Sequence, residues 1–185
     1  MDRLPRTIRT PRLTLRPFEL RDIEPRQVYC NDAEWARYFP LPFPYTRRDA
    51  EEFVIGRMLD DWGNDPSWWA ADLDGELIGH IGLWPDPQNR HAEVGYAIAR
   101  PRWGLGFATE VVSAVVNAVF TTTDLERVYA RADVRNGASR RVLEKVGMVQ
   151  VGEVRDNRVA HGQRVDDAFY AVLKSDWPPA GDASD

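Results

Sequence analysis

The stretch RWGLGFATE (102–110) divides the chain into two different chain patterns. Before it, SWWAADL, ELIGHIGLWP and AEVGYAIA read as strands, and the first two meet at Asp74-Gly75, a dipeptide that tolerates the positive φ of a tight hairpin. An antiparallel meander is expected there. After it, a helix over 107–121 is followed by the strand LERVYARAD, the helix GASRRVLEKVG, the strand MVQVGEV, the loop RDNRVAHGQRV and the strand DDAFYAVL, which is the alternation of a βαβ unit. The fold class expected is α+β. Ahead of the meander, LTLRPF (13–18) alternates as a strand and RDIEPRQVYCND forms a short helix ending near Asn31. YFPLPFPYTRRD is a loop rich in proline and aromatic residues, and Thr46 with Asp49 caps the helix RRDAEEFVIGRMLDDW.

A length of 185 residues suits one domain, placed at 1–177, with 178–185 expected as a disordered polar tail. Hydrophobic residues at 43% against charged residues at 29% fit a globular body. A net charge of -5 supplies no general field for nucleic acid, although arginines crowd positions 3, 6, 9, 12, 16 and 21. The single cysteine, Cys30, cannot form an internal disulfide, and MDRLPRTIRTPRL has no secretory apolar core, so a cytoplasmic location is expected. The helical window VVSAVVNAVF is well short of the roughly 20 residues that span a bilayer, and no membrane segment is expected. His80, His91 and His161 are scattered without metal-ligand spacing, so no metal is expected.

At the junction itself, a helix N-terminus presents amides that have no partner within the helix, and its dipole is positive there. Gly104 and Gly106 remove the Cβ atoms that would keep a phosphate from the backbone, and Ala108 keeps the next turn small. Chain reversal alone is the other use of such a turn. Gly106-Phe107-Ala108 stands where a nucleoside triphosphate loop needs Gly-Lys-Ser/Thr, and a dinucleotide fold would add a third glycine and a distant acidic residue.

In order, TPRLTLRPFELRD, NDAEWARYFP, GELIGHIGLW, AEVGYAIA, RWGLGFATEVV, NGASRRVLEKVGM and DDAFYAVLKSDW resemble the GNAT acyltransferase superfamily, specifically its RimJ/RimL-type branch. The resemblance covers nearly the whole chain and implies the GNAT-like α+β fold, three layers with a mixed, mostly antiparallel central sheet of six to seven strands flanked by helices. It implies acetyl-CoA as cofactor, with the pyrophosphate motif on Trp103, Gly104, Leu105, Gly106, Phe107 and Ala108, and Thr109 next along the helix. Trp103 replaces the Gln or Arg of the general motif, a substitution that marks the branch. It also implies that AEVGYAIA and LERVYARAD, the fourth and fifth strands of the fold, splay apart. Pantetheine would lie between them against the backbone of Tyr96, Ala97 and Ile98.

Asn136 and Ser139 are expected on the cofactor side, although both also suit a helix cap. Glu93 is the expected base, with a solvent-facing strand glutamate as its plain alternative. The acid that many relatives carry as tyrosine is Leu143 here, which leaves Ser139 as the nearest polar group. His80 is a lesser candidate base, and Cys30 lacks the partners of a nucleophile. Trp35, Tyr38 and Phe39 would close over an acceptor faced by Trp84, or else belong to the core. Asp166 and Asp167, in the turn after HGQRV, could orient a cationic acceptor or pair with the arginines near 155 to 164, and Asp166 matches a recurrent family aspartate.

The reaction implied is acetyl transfer to a primary amine, of a protein N-terminus or a small molecule, by direct attack in a ternary complex. A terminal α-amine, with a reference pKa of about 7.7 to 8.0 against about 10.4 for lysine, needs the weaker base. A catalytically silent acyl-CoA-binding module and an interaction protein with an empty turn stay open as alternatives, and a homodimer is possible.

Overall fold

A computed structural model describes residues 4–60, 62 and 66–177; the expected tail at 178–185 lies outside the described residues. In chain order the elements are β1 (Ile8–Arg9), β2 (Thr14–Arg16), α1 (Ile23–Cys30), α2 (Ala33–Ala36), α3 (Arg47–Leu59), β3 (Ser67–Leu73), β4 (Glu76–Asp86) and β5 (His91–Ile98). They continue with α4 (Phe107–Thr122), β6 (Arg127–Asp133), α5 (Gly137–Lys145), β7 (Val149–Ala160) and β8 (Gln163–Leu173).

Local chemistry sets the ends of several of these. The β3–β4 hairpin turns at Asp74 and Gly75, both at positive φ (52° and 91°), as the dipeptide predicts. Helix α3 starts at a reciprocal cap: the Thr46 N–H donates to Asp49 Oδ2 at 2.7 Å, and Thr46 Oγ1 accepts from the Asp49 N–H. Arginine density at the start of the chain also finds a structural use. Buried Arg16 grips the Asp22 carboxylate with two bonds of 2.8 Å and reaches Asp72 on β3 at 2.8 Å.

The strands join one sheet in the order β1-β2-β3-β4-β5-β6-β8-β7, antiparallel except for the parallel β5–β6 pair. Each face carries its own core. Val111, Val112, Val115, Val116 and Val119 of α4 and Leu143 of α5 pack with Leu15, Ile81, Val94, Val128 and Tyr170 on one side. Ile23, Tyr29, Trp35, Ala50 and Val54 of α1 to α3 pack with Ala70, Leu77 and Ala97 on the other. The apolar stripe of α4 follows the helical period, so it buries one side only.

Two features of the sheet differ from the sequence expectation. It has eight strands instead of six to seven, because the two-residue β1 pairs with β2 through Ile8 and Leu15. RDNRVAHGQRV is not a loop: most of it extends β7 and β8 into a long hairpin that turns at His161 and Gly162, and register shifts interrupt its pairing. As the outermost strand, β7 is exposed over most of its length, so backbone bonds hold it there and no buried face imposes a readable alternation.

The feature that matters for function is where pairing stops. β5 and β6 share only His91 with Arg127, Ala92 with Val128 and Glu93 with Tyr129. Beyond Glu93 the two strands part, and a slot opens between them.

Candidate active site

At the far end of that slot, β5 gives way to a single 3-10 turn (Arg100–Arg102) and then Trp103, whose indole N–H donates to the Ile98 carbonyl at 2.7 Å. The tryptophan ties the coming turn to the strand behind it. Gly104 and Gly106 then adopt φ of +74° and +82°, a region costly for any residue with a Cβ, and Gly106 is the N-cap of α4. The first bond of the helix runs from the Glu110 N–H to the Gly106 carbonyl, so the amides of Phe107, Ala108 and Thr109 have no partner inside it.

The turn is braced from behind. Arg12 donates from Nη1 to the Leu105 carbonyl (2.8 Å) and from Nε to Glu110 (2.7 Å), with its guanidinium 4.2 Å from the centre of the Phe107 ring. Thr10 Oγ1 donates to Glu110 at 2.6 Å. Burial opposes ionisation of Glu110, but the bonds from Thr10 and Arg12 outweigh it and hold the carboxyl below its usual range.

In front of the turn lies a cleft of about 510 Å³. Tyr96, Ala97 and Ile98 of β5 form its floor, and Gly104, Gly106 and Phe107 to Thr109 form one wall. Asn136 to Ser139, Arg141, Val142 and Lys145 of α5 form the facing wall, while Glu34, Trp35, Tyr38 and Phe39 close one end. Asn136 caps α5 by accepting from the Ser139 N–H at 3.1 Å. Arg102 is paired with Glu76 at 2.7 Å. Arg141 and Lys145, one helical turn apart, have no ion-pair or hydrogen-bond partner among the described residues. Unpartnered amides, a long apolar slot and two spare cations suit an elongated ligand that carries phosphates at one end.

The sequence profile of the acetyltransferase (GNAT) domain matches residues 12–149. The chain belongs to the GNAT acetyltransferase family. It is 32% identical over 176 residues to the uncharacterized N-acetyltransferase p20 of Bacillus licheniformis, which covers 92% of this chain and 98% of that protein. Among solved structures, a GNAT-family acetyltransferase from Bacillus anthracis superposes with a TM-score of 0.82 at 27% identity, over 91% of this chain and 99% of that one. RimJ of Mycobacterium smegmatis, solved in complex with CoA-disulfide, gives 0.82 at 23% identity over 94% of this chain and 88% of that one, a likeness of fold. The protein is thus an acetyl-CoA-dependent N-acetyltransferase of the GNAT family.

The residues of this GNAT chain fit that donor. Small-residue backbone at positive φ leaves room for phosphate at the α4 amides, and the same cleft is lined by Tyr96, Ala97 and Ile98, where β5 no longer pairs with β6. The sequence candidates divide into those lining the cleft and those outside it. Tyr96, Ala97, Ile98, Trp103, Gly104, Gly106, Phe107, Ala108, Thr109, Asn136 and Ser139 all line it. Leu105 does not: its side chain is exposed and its carbonyl faces Arg12.

Glu93 and Trp84 lie outside the cleft, as cross-strand partners on β5 and β4. Strand alternation puts Glu93 on the opposite side of β5 from Val94, which belongs to the α4 core. Arg131 Nε approaches its Oε1 at 3.0 Å, and the Tyr129 hydroxyl donates to its Oε2 at 3.4 Å. Trp84 leans over Gly95, where an added Cβ would stand 3.1 Å from the indole. Trp35 lines the cleft end yet is only 1% exposed and packs within the second core, stacked on Phe39. Tyr38 is freer, donating from its hydroxyl to the Arg135 carbonyl at 3.3 Å.

Asp166 lies within β8 instead of a turn, where its Oδ1 accepts from the Asp156 N–H at 2.8 Å and its carbonyl accepts from the Val134 N–H. Asp167 is buried and paired with Arg158 at 2.9 Å. Leu143 is fully buried in the α4-side core. His80 sits in a closed network with Tyr29 and Arg26, and burial, with Arg26 adding to it, holds its pKa well below the usual imidazole value. Cys30 is buried, and that burial pushes its thiol up to about 12. Among the described residues no cluster of His, Cys, Asp and Glu could hold a metal ion, and no helix is long and apolar enough to cross a membrane.

Sequence reading passed over two groups. Arg141 and Lys145 carried a signal, a basic pair at i and i+4 on a helix that opens with NGAS. The brace from Thr10 and Arg12 to Glu110 joins residues about a hundred positions apart and carried none.

Proposed function

We propose that this GNAT protein acetylates a primary amine, either the α-amine of a protein N-terminus or a small-molecule amine, by direct attack within a ternary complex. The observation that carries this reading is one cleft that joins the α4 amides without a helical partner to Tyr96, Ala97 and Ile98, the part of β5 that no longer pairs with β6. When bound, acetyl-CoA supplies an acetyl group already activated as a thioester. The amides of Phe107, Ala108 and Thr109 hold its pyrophosphate, and the β5 backbone beyond Glu93, free of β6, pairs with its pantetheine arm. An unpaired β5 N–H at the divergence meets the charge growing on the carbonyl oxygen, an effect typically worth about 10² to 10³ in rate.

Glu93 accepts the amine proton, directly or through water, and Ser139 donates a hydrogen bond to the departing sulfur. Trp84 and Tyr38 offer aromatic surface to the acceptor's apolar body, with Trp35 packed behind. A reducing cytoplasm, where acyl-CoA is made, suits the reaction.

The test is release of CoA thiol from acetyl-CoA against a panel of N-terminal peptides, polyamines and lysine peptides with blocked termini. Release with an α-amine peptide exceeding that with the blocked lysine peptide is expected. CoA binding without release for any amine would establish the silent acyl-CoA module instead, a reading favoured by the buried Leu143 and the ion-paired Glu93.

Arg141 and Lys145 are assigned to the outer phosphate of the donor. Joint replacement by alanine should raise the KM for acetyl-CoA about tenfold, a loss of about 1.4 kcal/mol, with kcat unchanged. Salt should weaken the wild type toward the double variant, because exposed charges are screened. A KM that stays at the wild-type value removes the assignment.

A further inference from the structure

Leu143 is buried in the core, so the hydroxyl that would meet the departing sulfur has to come from elsewhere in the cleft. Two hydroxyls meet there across the slot. Tyr96 Oη on β5 stands 2.9 Å from Ser139 Oγ and 3.1 Å from the Ser139 carbonyl oxygen, joining the splayed strand to the first turn of α5. The Ser139 backbone is fixed by its own N–H bond to Asn136.

We propose that Tyr96 is a positioning residue for the leaving thiolate: its hydroxyl holds Ser139 Oγ in place so that the serine O–H turns to the sulfur. The proposal rests on the acetyl-transfer reading. In the step concerned, the amine lone pair forms the C–N bond, and the C–S bond breaks with its electron pair going to sulfur. The amine proton leaves on the Glu93 side, and the sulfur is left as a thiolate.

The pair contains two hydroxyl hydrogens. At rest both can be used within it, the phenol donating to the Ser139 carbonyl and the serine to the phenol. A thiolate is the stronger acceptor and draws the serine hydrogen to itself, while the phenol turns its own hydrogen from the Ser139 carbonyl to Oγ and prevents Oγ from swinging away. Burial pushes the Tyr96 phenol up to about 12, the Ser139 bond opposing, so the phenol keeps its hydrogen throughout. The group that faces the sulfur is therefore on α5, and the group that holds it is on β5.

The test reads the thiol of CoA bound to the full-length protein by the ultraviolet absorbance of its thiolate as pH is varied, which needs neither acceptor nor turnover. Tyr96→Phe and Ser139→Ala should each raise the apparent pKa of the bound thiol by about one, because each removes stabilisation of the charged form. The double variant should go no further than either single one. With an acceptor present, kcat should fall about tenfold in each, the same unit of pKa expressed as rate, while the Kd for CoA stays within about twofold. Ser139→Thr, which keeps a hydroxyl, should restore most of both readouts.

Tyr96→Phe that binds CoA with an unchanged thiol pKa and an unchanged kcat overturns the proposal, as does a double variant whose losses add. Failure of CoA to bind or to raise the melting temperature of the wild type would sink the acetyl-transfer reading itself, a result distinct from an unchanged titration.

Discussion

Gly106→Val is expected to raise the Kd for CoA by at least about a hundredfold and to abolish the rise in melting temperature that CoA confers on the wild type. Gly106 holds φ at +82°, a conformation in which a β-branched residue is strained by about 1 to 3 kcal/mol. The side chain would also meet the brace behind the turn, since an added Cβ stands 3.4 Å from Arg12 Nη2. A turn that rotates to relieve that strain would carry the Phe107, Ala108 and Thr109 amides off the position proposed for the phosphates. Each charge-assisted bond is worth about 1.5 to 3 kcal/mol, so losing two accounts for the hundredfold loss. Gly56→Ala is the matched control: it lies inside α3 at ordinary φ with nothing within 4 Å of an added Cβ. It should stabilise the fold by about 0.5 to 1 kcal/mol and leave CoA binding alone. Calorimetric titration with CoA decides the matter, and wild-type affinity in Gly106→Val would mean that the phosphates are held elsewhere.

That turn was legible in the sequence because everything it needs is local. Two glycines at fixed spacing before a helical apolar stripe specify the bend, and Asp74-Gly75 and the Thr46 cap were readable for the same reason. What escaped was either long-range or without a face. The first half of β7 was readable as MVQVGEV, but its second half stays mostly exposed with no apolar alternation, and RDNRVAHGQRV read as loop although backbone pairing carries it into the sheet. Asp166 went with it, moving from a presumed turn to a strand position where it serves the Asp156 amide. Trp35 shows the reverse limit: an aromatic residue in a loop reads equally as lid or core, and only packing against Tyr29 and Phe39 places it in the core. Tyr96 could be assigned to the slot from the sequence by its backbone, but the reach of its hydroxyl to a residue 43 positions away depends on how far β5 and α5 stand apart.

The same distance from local pattern governs Glu93, the other residue with a large expected effect. Its position at the last β5–β6 pair sets it where the two strands part, and the proposed reaction brings the attacking amine to that side. Glu93→Gln keeps the shape and removes the proposed base, so kcat should fall by about 10² to 10⁴ while CoA affinity is unchanged. Stability should change little, because the bond to Arg131 joins partly exposed groups and such pairs contribute about 0 to 1 kcal/mol. Arg131→Gln separates chemistry from scaffolding: it leaves the carboxylate in place and should cost less than about tenfold in kcat. The deficit should also depend on pH in a definite direction. An α-amine with a reference pKa of about 7.7 to 8.0 loses its own proton to solvent as pH rises, and a neutral nucleophile needs less help. Glu93→Gln should therefore approach the wild-type rate above about pH 8 with an α-amine acceptor, and remain far below it with a lysine side chain near 10.4. A variant equal to the wild type at neutral pH with both acceptors would remove Glu93 as the base and leave the open β5 amides and Ser139 to account for the rate.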